Sequence, residues 1–161
     1  MLEENGMHLK KLNAAFYSDN GHLKEALDNQ NGNWERGKVR GYGVVVISIK
    51  SLTFAIPLRS NITHSASYIT VRSHSQGVKG KGLDYSKALL IADSSYISTA
   101  PFKIHTDEHK KLQDKEHYIV ERFEKYVSKY IDAVSKADKH VLQSKEYRFT
   151  TLINYHRELG L

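Results

Sequence analysis

The segment from Arg59 to His64 places a guanidinium, a hydroxyl, an amide and an imidazole within one short stretch, Arg-Ser-Asn-Ile-Thr-His. Breaking an RNA phosphodiester without a metal requires one group to take the 2′-OH proton, another to protonate the leaving 5′-oxygen, and donors that stabilise the phosphorane. Arginine, serine and histidine can fill these roles, and an imidazole exchanges protons near neutral pH. The segment therefore predicts a candidate active site. A hydrogen-bonded surface histidine without a catalytic role is the other interpretation.

A second pattern that could support catalysis is His105-Thr106-Asp107-Glu108-His109, which matches the H-x-x-E-H signature of some zinc peptidases. The two histidines of such a site must share one face of a helix. Here a threonine followed by two acids predicts a helix N-terminus, which leaves His105 outside the helix. We therefore expect no metal site and no cofactor. A metal-dependent hydrolase that uses His105 and His109 stays as an alternative.

Three glycines, Gly77, Gly80 and Gly82, alternate with lysines and suggest a basic loop over residues 73–82. Glycine allows backbone N–H groups to approach phosphate oxygens, so a phosphate-binding loop is one interpretation. A flexible basic loop is the other. Neither the P-loop motif nor the dinucleotide-binding motif is present, which argues against a P-loop nucleotide hydrolase.

The positive charge is concentrated in the middle of the chain. Residues 1–35 have a net charge of −3, residues 36–87 of +8, and residues 88–161 of +1, and Asp84 is the one acid between residues 36 and 87. Aromatic residues are interleaved with these cations, as in surfaces that follow a phosphate backbone and stack on unpaired bases. This distribution favours a nucleic-acid partner, whereas a charged surface that keeps the domain soluble is the alternative.

Composition limits the classes of protein that the chain can represent. The 161 residues are 40% hydrophobic and 26% charged, with no cysteine. That length suits one domain, residues 1–161, and the lack of cysteine excludes disulfide scaffolds, thiol nucleophiles and thiolate zinc sites. No apolar run has the roughly 20 residues of a membrane-spanning helix, and the first residues lack a signal-peptide core. We expect a cytoplasmic protein.

Hydrophobic periodicity predicts strands followed by helices. The β-branched run at 41–49 and the segment at 52–58, joined by Lys50-Ser51, predict an antiparallel hairpin. Further strands are expected at 67–72 and 87–91, and a polar loop at 29–37. A short amphipathic helix or an irregular arm is expected at 8–18, and a helical turn at 22–28. An apolar repeat of three and four residues predicts amphipathic helices at 115–136 and 148–158. We expect Phe123, Tyr126 and Tyr130 to face the core. The fold class is α+β.

Several segments together resemble the toxins of type III toxin–antitoxin systems, the ToxN/AbiQ group. Within that group they are most similar to the TenpN (TenpIN) family, with CptN as the nearest alternative. The similar segments span nearly the whole chain: FYSDN at 16–20, GYGVVVISI and LTFAIPLRSNITH within 41–64, KGKGLDYSKALLI at 79–91, HYIVERFEKYV at 117–127 and EYRFTTLINYHRELGL at 146–161.

The resemblance implies an endoribonuclease with a strongly bent antiparallel sheet, a Kid/MazF-like barrel core and flanking helices. It implies metal-independent cleavage by attack of the 2′-OH, which leaves 2′,3′-cyclic phosphate and 5′-OH ends. The implied partner is an antitoxin RNA, a repeat-derived pseudoknot that the toxin processes and that inhibits it in a toxin–RNA hetero-oligomer. Cellular and phage RNA are the implied substrates, with growth inhibition and abortive infection as the outcome; no DNA or membrane partner is expected.

The family's strand-end motif is Thr-Ser-Pro-Lys, and its serine and lysine matter for activity. Ser60 matches the serine and Arg59 stands where the threonine would be, but Ile62 replaces the lysine. We expect His64 to supply the missing proton-transfer group and Arg59 to hold phosphate. Lys38 falls near a family lysine.

Aromatic matches at the family's groove are less direct: Trp34 falls near one tyrosine, and Tyr17, or else Phe16, near another. Arg40 replaces Lys38 if the register slips. The predicted catalytic residues are Ser60, His64, Lys38 and Arg59. The predicted RNA-binding residues are Tyr17, Trp34, Arg40, Asn61, Arg72, Lys79, Lys81, Tyr85 and Lys87. A non-catalytic RNA-binding module with the same basic surface, or a toxin that acts through protein contacts, would also fit the sequence.

Overall fold

A computed structural model describes residues 9–27, 29–30, 33–34, 43–98 and 106–161. The strands are β1 (Leu9–Lys10), β2 (Asn29–Gln30), β3 (Asn33–Trp34), β4 (Val44–Ile49), β5 (Leu52–Ile62), β6 (Ser67–Arg72), β7 (Gly80–Asp84) and β8 (Leu89–Leu90). The α-helices are α1 (Ala14–Asp19), α2 (Thr106–Asp114), α3 (Glu116–Lys136) and α4 (Lys139–Leu142). Short 3₁₀ helices cover Tyr85–Lys87, Ser94–Tyr96 and Thr151–Asn154. The mixed α+β class predicted from the sequence is confirmed.

The β4–β5 hairpin is the centre of the sheet. Its two-residue turn has positive φ at both Lys50 and Ser51, 50° and 64°, which matches the twist of the flanking strands. Pairing runs without interruption from Ile49↔Leu52 to Val44↔Pro57. The predicted hairpin is therefore confirmed, but β5 continues beyond residue 58 as far as Ile62. The strand predicted at 67–72 is confirmed as β6.

In the part of the chain that the structure describes, six strands form an antiparallel sheet in the order β1-β4-β5-β7-β6, with β8 paired to β5. The edge strands β1 and β6 do not pair with each other, so the sheet is open and the Kid/MazF-like barrel predicted for the core is wrong. Other segments cover both edges. Ser98 N–H donates to the Lys11 carbonyl beyond β1, and Lys111 Nζ of α2 donates to the Thr70 carbonyl of β6 at 2.7 Å.

Helix α3 confirms the amphipathic helix predicted at 115–136 and packs its apolar stripe on the sheet. Phe123 is fully buried, and its ring meets that of Phe54 in β5 edge to face, with 5.2 Å between centroids. Burying one such side chain contributes about 1.5–3 kcal/mol. Tyr126 and Tyr130 are buried as well, which confirms that this aromatic stripe faces the core. None of the described helices is long and apolar enough to span a membrane.

The helical predictions outside α3 are confirmed only in part. Residues 9–19 divide into β1 and α1, because the Asn13 side chain caps a new helix by accepting a hydrogen bond from Phe16 N–H. Residues 22–27 form turns, and the polar segment at 29–37 contains the short β2–β3 hairpin. The segment 148–158 contains a 3₁₀ helix at Thr151–Asn154, since the Thr151 hydroxyl bonds to the Ser86 and Ala88 carbonyls and holds the chain against the sheet.

The loop predicted at 73–82 and the strand predicted at 87–91 were also misplaced. Gly80 and Gly82 lie in β7, and β8 covers residues 89–90 after the 3₁₀ turn. A Cβ added at Gly82 would lie 2.0 Å from the Tyr68 carbonyl oxygen, and one at Gly80 2.1 Å from that of Val71. Glycine is thus needed for β6 and β7 to pair this closely, and the phosphate-loop interpretation of these two glycines is wrong.

Replacing Gly82 with alanine is expected to destabilise the protein by more than about 2 kcal/mol, because the methyl group cannot fit without moving β6. Gly77→Ala is the matched control: φ is +79° there, but nothing lies within 4 Å of the added Cβ, so the cost is about 1 kcal/mol. Urea unfolding of the two variants measures the difference. Equal losses for the two variants would contradict the close pairing of β6 and β7.

Candidate functional site

The candidate site lies where β5 leaves regular pairing with β7. Arg59 pairs with Gly82 and Ile62 with Gly80, so β5 has one extra residue between these two pairs. Asn61 takes a positive φ of 57° at this bulge. Ile62 is buried, whereas Ser60 and Asn61 are exposed. A β-bulge re-aims side chains in this way, and bulges are common beside active sites.

A buried carboxylate, Asp84 at the end of β7, organises the side chains behind the bulge. It is 0% exposed, and Arg59 Nη1 lies 2.9 Å from its Oδ2 atom. On the other oxygen, Oδ1, Asp84 accepts from Ser86 Oγ at 2.6 Å and from Ser86 N–H at 3.0 Å, and His64 Nε2 is 3.2 Å away. The residues Arg59, His64, Asp84 and Ser86 are called the Asp84 cluster below.

Asp84 is ionised at neutral pH. Burial opposes its charge, but the hydrogen bond and attraction from His64, followed by the hydrogen bonds from Ser86 and Arg59, outweigh burial and lower the pKa of Asp84 below its ordinary value. The cluster thus holds a permanent negative charge inside the protein and fixes a guanidinium against it. Sequence reasoning missed Asp84, although it stands out as the one acid within a segment of nine cations.

Both ring nitrogens of His64 have partners within the protein. Its Nδ1 atom accepts a hydrogen bond from Ala66 N–H at 3.1 Å, and its Nε2 atom faces Asp84 Oδ1 and Ser86 Oγ. The residue is 8% exposed. In this arrangement the ring orients Asp84, and neither nitrogen is free to exchange a proton with a bound molecule. The geometry therefore favours a positioning role over the proton-transfer role predicted for His64.

Arg59 is the member of the cluster that reaches the surface. One of its nitrogens bonds to Asp84, yet the side chain is 37% exposed. An arginine carries five N–H donors in a planar fork, so the remaining donors can bind an anion while Asp84 fixes the orientation. The exposed Ser60 hydroxyl follows directly in the chain. A guanidinium that is fixed by a buried carboxylate and still exposed can bind a phosphate group.

Two of the predicted RNA-binding cations lie at the same end of the sheet. The Lys79 side chain is exposed, and the backbone N–H of Lys79 donates to the Ile62 carbonyl at 2.8 Å. Arg72 is exposed and pairs with Gly80 at the end of β6. Asn61, described above, is exposed beside them. This sheet end, which begins after Arg59 along β5, therefore presents a polar, positively charged surface.

Two further cations from the predicted set, Lys81 and Lys87, have partners inside the protein. Lys81 Nζ lies 3.3 Å from Glu108 of α2. Lys87 Nζ donates to the carbonyls of Glu25 and Phe149 at 2.7 and 2.8 Å, and burial lowers the pKa of Lys87. Lys87 connects three separate segments, so its geometry fits a structural role better than the predicted RNA contact.

Two of the predicted stacking residues are buried. Tyr17 is 3% and Tyr85 2% exposed. The Tyr17 ring meets Phe16 edge to face, and the Tyr85 ring packs against Phe123 with 5.8 Å between centroids. Their predicted role as stacking platforms for RNA bases is wrong, because core packing covers the rings. Phe16, the alternative to Tyr17, is also fully buried.

Other predicted residues fall outside what the structure describes. Lys38, Arg40 and His105 lie outside the described residues, and of Trp34 the structure describes only its place in β3, paired with Asn29. Within the described ranges, no group of three or more His, Cys, Asp or Glu side chains is arranged to hold a metal ion.

Comparison of the chain with protein-family models, with curated proteins and with solved structures finds no match.

Proposed function

We propose that this chain is a metal-independent endoribonuclease and acts as the toxin of a type III toxin–antitoxin system. The observation that carries the proposal is the Arg59 guanidinium, held by the fully buried Asp84 and exposed beside Ser60 at a bulge of β5. A fixed, partly exposed guanidinium suits the binding of a phosphodiester, and the exposed Ser60 follows Arg59 directly in the chain. The concentration of cations in residues 36–87 supports a polyanionic substrate.

In the proposed reaction the 2′-oxygen attacks the adjacent phosphorus as its proton passes to a general base. The P–O5′ bond then breaks, and the leaving oxygen takes a proton from a general acid. Arg59 stabilises the charge that develops on the non-bridging oxygens, and Ser60 donates a hydrogen bond to one of them. We assign both proton transfers to Lys38, on the resemblance alone: its amine takes the 2′-OH proton, and the resulting ammonium returns a proton to the 5′-oxygen. We assign His64 to positioning Arg59 through Asp84.

The biological part of the proposal rests on the resemblance to the ToxN/AbiQ group, closest to TenpN. A repeat-derived RNA pseudoknot would be both a processed product and the inhibitor of the enzyme, bound over the Arg59 surface in a toxin–RNA assembly. Unbound toxin would cut cellular and phage RNA in the bacterial cytoplasm. Growth inhibition and defence by abortive infection would follow.

The experiment is incubation of the purified protein with single-stranded RNA in excess EDTA. We expect cleavage, and we expect Ser60→Ala to lower its rate by about 10²-fold, the usual loss when one donor to a developing oxyanion is removed. Ser75→Ala, at an exposed serine in the β6–β7 connection, is the control and should cleave at the wild-type rate. RNA left intact with and without divalent ions would contradict the proposal; cleavage restored by divalent ions alone would indicate a metal-dependent hydrolase.

A second candidate, a non-catalytic RNA-binding module, is favoured by one observation. Both ring nitrogens of His64 have partners within the protein, and a binding module needs no proton-transfer group. That candidate predicts a gel-shift complex in which the RNA stays intact over hours. The EDTA experiment therefore separates the two functions.

A further inference from the structure

A cavity of about 200 Å³ opens between helix α3 and the two segments that build the Asp84 cluster. Its walls combine exposed cations of α3 with buried aromatic rings. The lining residues are Ser65, Ala66, Tyr85, Arg122, Lys125, Tyr126, Lys129, Glu146 and Tyr147. This volume is smaller than the roughly 300–1,000 Å³ of pockets that enclose a drug-sized ligand. It therefore suits part of a larger molecule that continues outside.

The charge of the cavity wall favours an anion. Arg122, Lys125 and Lys129 follow each other at three and four residues on α3, so all three lie along one face of the helix. Lys125 also pairs with Glu121 at 3.4 Å. Glu146 is the one acid among the lining residues. Three cations against one carboxylate give the wall a net positive charge.

The Glu146 carboxylate already accepts hydrogen bonds from another segment of the protein. Its Oε2 atom accepts hydrogen bonds from Ser65 N–H at 3.1 Å and from Ser65 Oγ at 3.0 Å. These bonds tie the loop after β5 to the C-terminal segment and form one side of the cavity. The cations of α3 form the opposite side.

The cavity and the Asp84 cluster share the same backbone. Ser65 and Ala66 follow His64, and Tyr85 stands between Asp84 and Ser86. Tyr85 N–H donates to the Ala66 carbonyl at 3.0 Å, which joins the two segments. The cavity is therefore lined by residues that are adjacent in the chain to members of the Asp84 cluster.

An exposed aromatic ring stands at the end of the cationic row. Tyr118 is 44% exposed and lies four residues before Arg122, on the same helix face. The Arg122 guanidinium carbon is 5.7 Å from the Tyr118 ring centroid, and the Tyr68 ring meets Tyr118 edge to face at 6.2 Å. An exposed ring supported by an arginine is a typical platform for an unpaired base.

We propose that this face of α3 binds a nucleotide that flanks the cleaved one. Its phosphate enters the cavity among Arg122, Lys125 and Lys129, and an adjacent base stacks on Tyr118. The inference rests on the proposed RNA substrate and adds a second, non-catalytic contact region to it. It also supplies the stacking surface that Tyr17 and Tyr85 cannot provide.

The first test measures binding of a 2′-O-methyl RNA oligonucleotide, which lacks the attacking hydroxyl, by fluorescence anisotropy. The variant R122Q/K125Q/K129Q is expected to bind about 10- to 100-fold more weakly at about 0.1 M salt. The slope of log K against log salt should fall by about 0.7, since each phosphate contact in a single strand contributes about that amount and one phosphate enters the cavity. K110Q/K136Q/K139Q removes the same charge from exposed lysines that do not line the cavity and should retain most of the affinity.

Two single variants test the geometry in more detail. Glu146→Gln should tighten binding a few-fold, opposite in sign to the loss from the cation variants, because it removes the carboxylate from the wall. Tyr118→Ala should weaken binding about tenfold, whereas Tyr118→Phe should bind like the wild type if stacking is the contact. Equal losses for the Ala and Phe variants would overturn the stacking role.

The outcomes distinguish this inference from the proposed function. If the wild type cleaves RNA but the cavity variant binds no more weakly than the control variant, the cavity inference is overturned and the nuclease proposal stands. If the wild type neither binds nor cleaves any RNA offered, both are overturned. Weakened binding confined to the cavity variant supports the cavity inference, and the cleavage assay in EDTA decides the nuclease proposal separately.

Discussion

Replacing Arg59 with alanine is expected to lower the rate of RNA cleavage in EDTA by about 10²- to 10³-fold, the scale of loss when a donor that stabilises the developing phosphorane charge is removed. The reason lies in its fixed orientation: Asp84 holds one guanidinium nitrogen at 2.9 Å while the side chain remains 37% exposed. Single-turnover cleavage of a labelled RNA measures the effect.

Two further variants make the Arg59 result specific. Arg59→Lys keeps the positive charge but loses the planar fork that matches a phosphate, so we expect it to recover binding more fully than cleavage. Arg157→Ala removes an exposed arginine from the C-terminal turn, and it should cleave like the wild type. An Arg59→Ala protein that is folded and cleaves at the wild-type rate would remove Arg59 from the reaction.

Replacing Asp84 with alanine should cost about 3 kcal/mol of folding free energy, the range seen when one partner of a buried ion pair is deleted. His64 Nε2 and the Ser86 hydroxyl would lose their carboxylate partner inside the protein, and Arg59 would lose its anchor. Cleavage should fall as well, because the guanidinium would no longer be fixed. Urea unfolding and cleavage assays of the same preparation measure the two effects.

The pH dependence of stability tests whether the negative charge of Asp84 is the cause of its contribution to folding stability. Because its pKa is lower in the folded protein than the ordinary 3.8, its contribution is fully present above that value and is lost as pH falls through the folded pKa. Asp84→Asn cannot ionise, so the stability difference between wild type and this variant should be largest at neutral pH and shrink below about pH 3.8. A difference that stays constant with pH would contradict a charged Asp84.

Much of the fold could be predicted from local sequence. The β-branched run before Lys50-Ser51 predicted β4 and β5, and the regular apolar repeat predicted α3, because each pattern is strong over its own element. The predictions failed where contacts between segments that are distant in the chain determine the local structure. Gly82 looks like a loop residue but permits close pairing with β6, and the Thr151 hydroxyl bonds to the Ser86 carbonyl, which is distant in the chain.

The candidate site also has residues that local sequence could identify and residues whose environment depends on distant contacts. Arg59 and Ser60 were identifiable from residue type and the end of an apolar run, and the structure places both beside a bulge. Asp84 was missed because nothing local marks an acid as buried, although its isolation among cations was a usable signal. Tyr85 was misjudged for the converse reason: an aromatic residue among lysines suggests a surface, but its ring packs against Phe123.

The central claim is that RNA is broken at the Arg59 surface by its own 2′-hydroxyl, with no metal ion taking part. The most direct measurement uses two oligonucleotides in excess EDTA that differ in one 2′-OH at the cleaved nucleotide. We predict that the wild type cuts the all-ribose strand, leaving 2′,3′-cyclic phosphate and 5′-OH ends, and leaves the 2′-deoxy strand intact. Cutting of the 2′-deoxy strand at the same linkage, or products with 5′-phosphate ends, would contradict the claim.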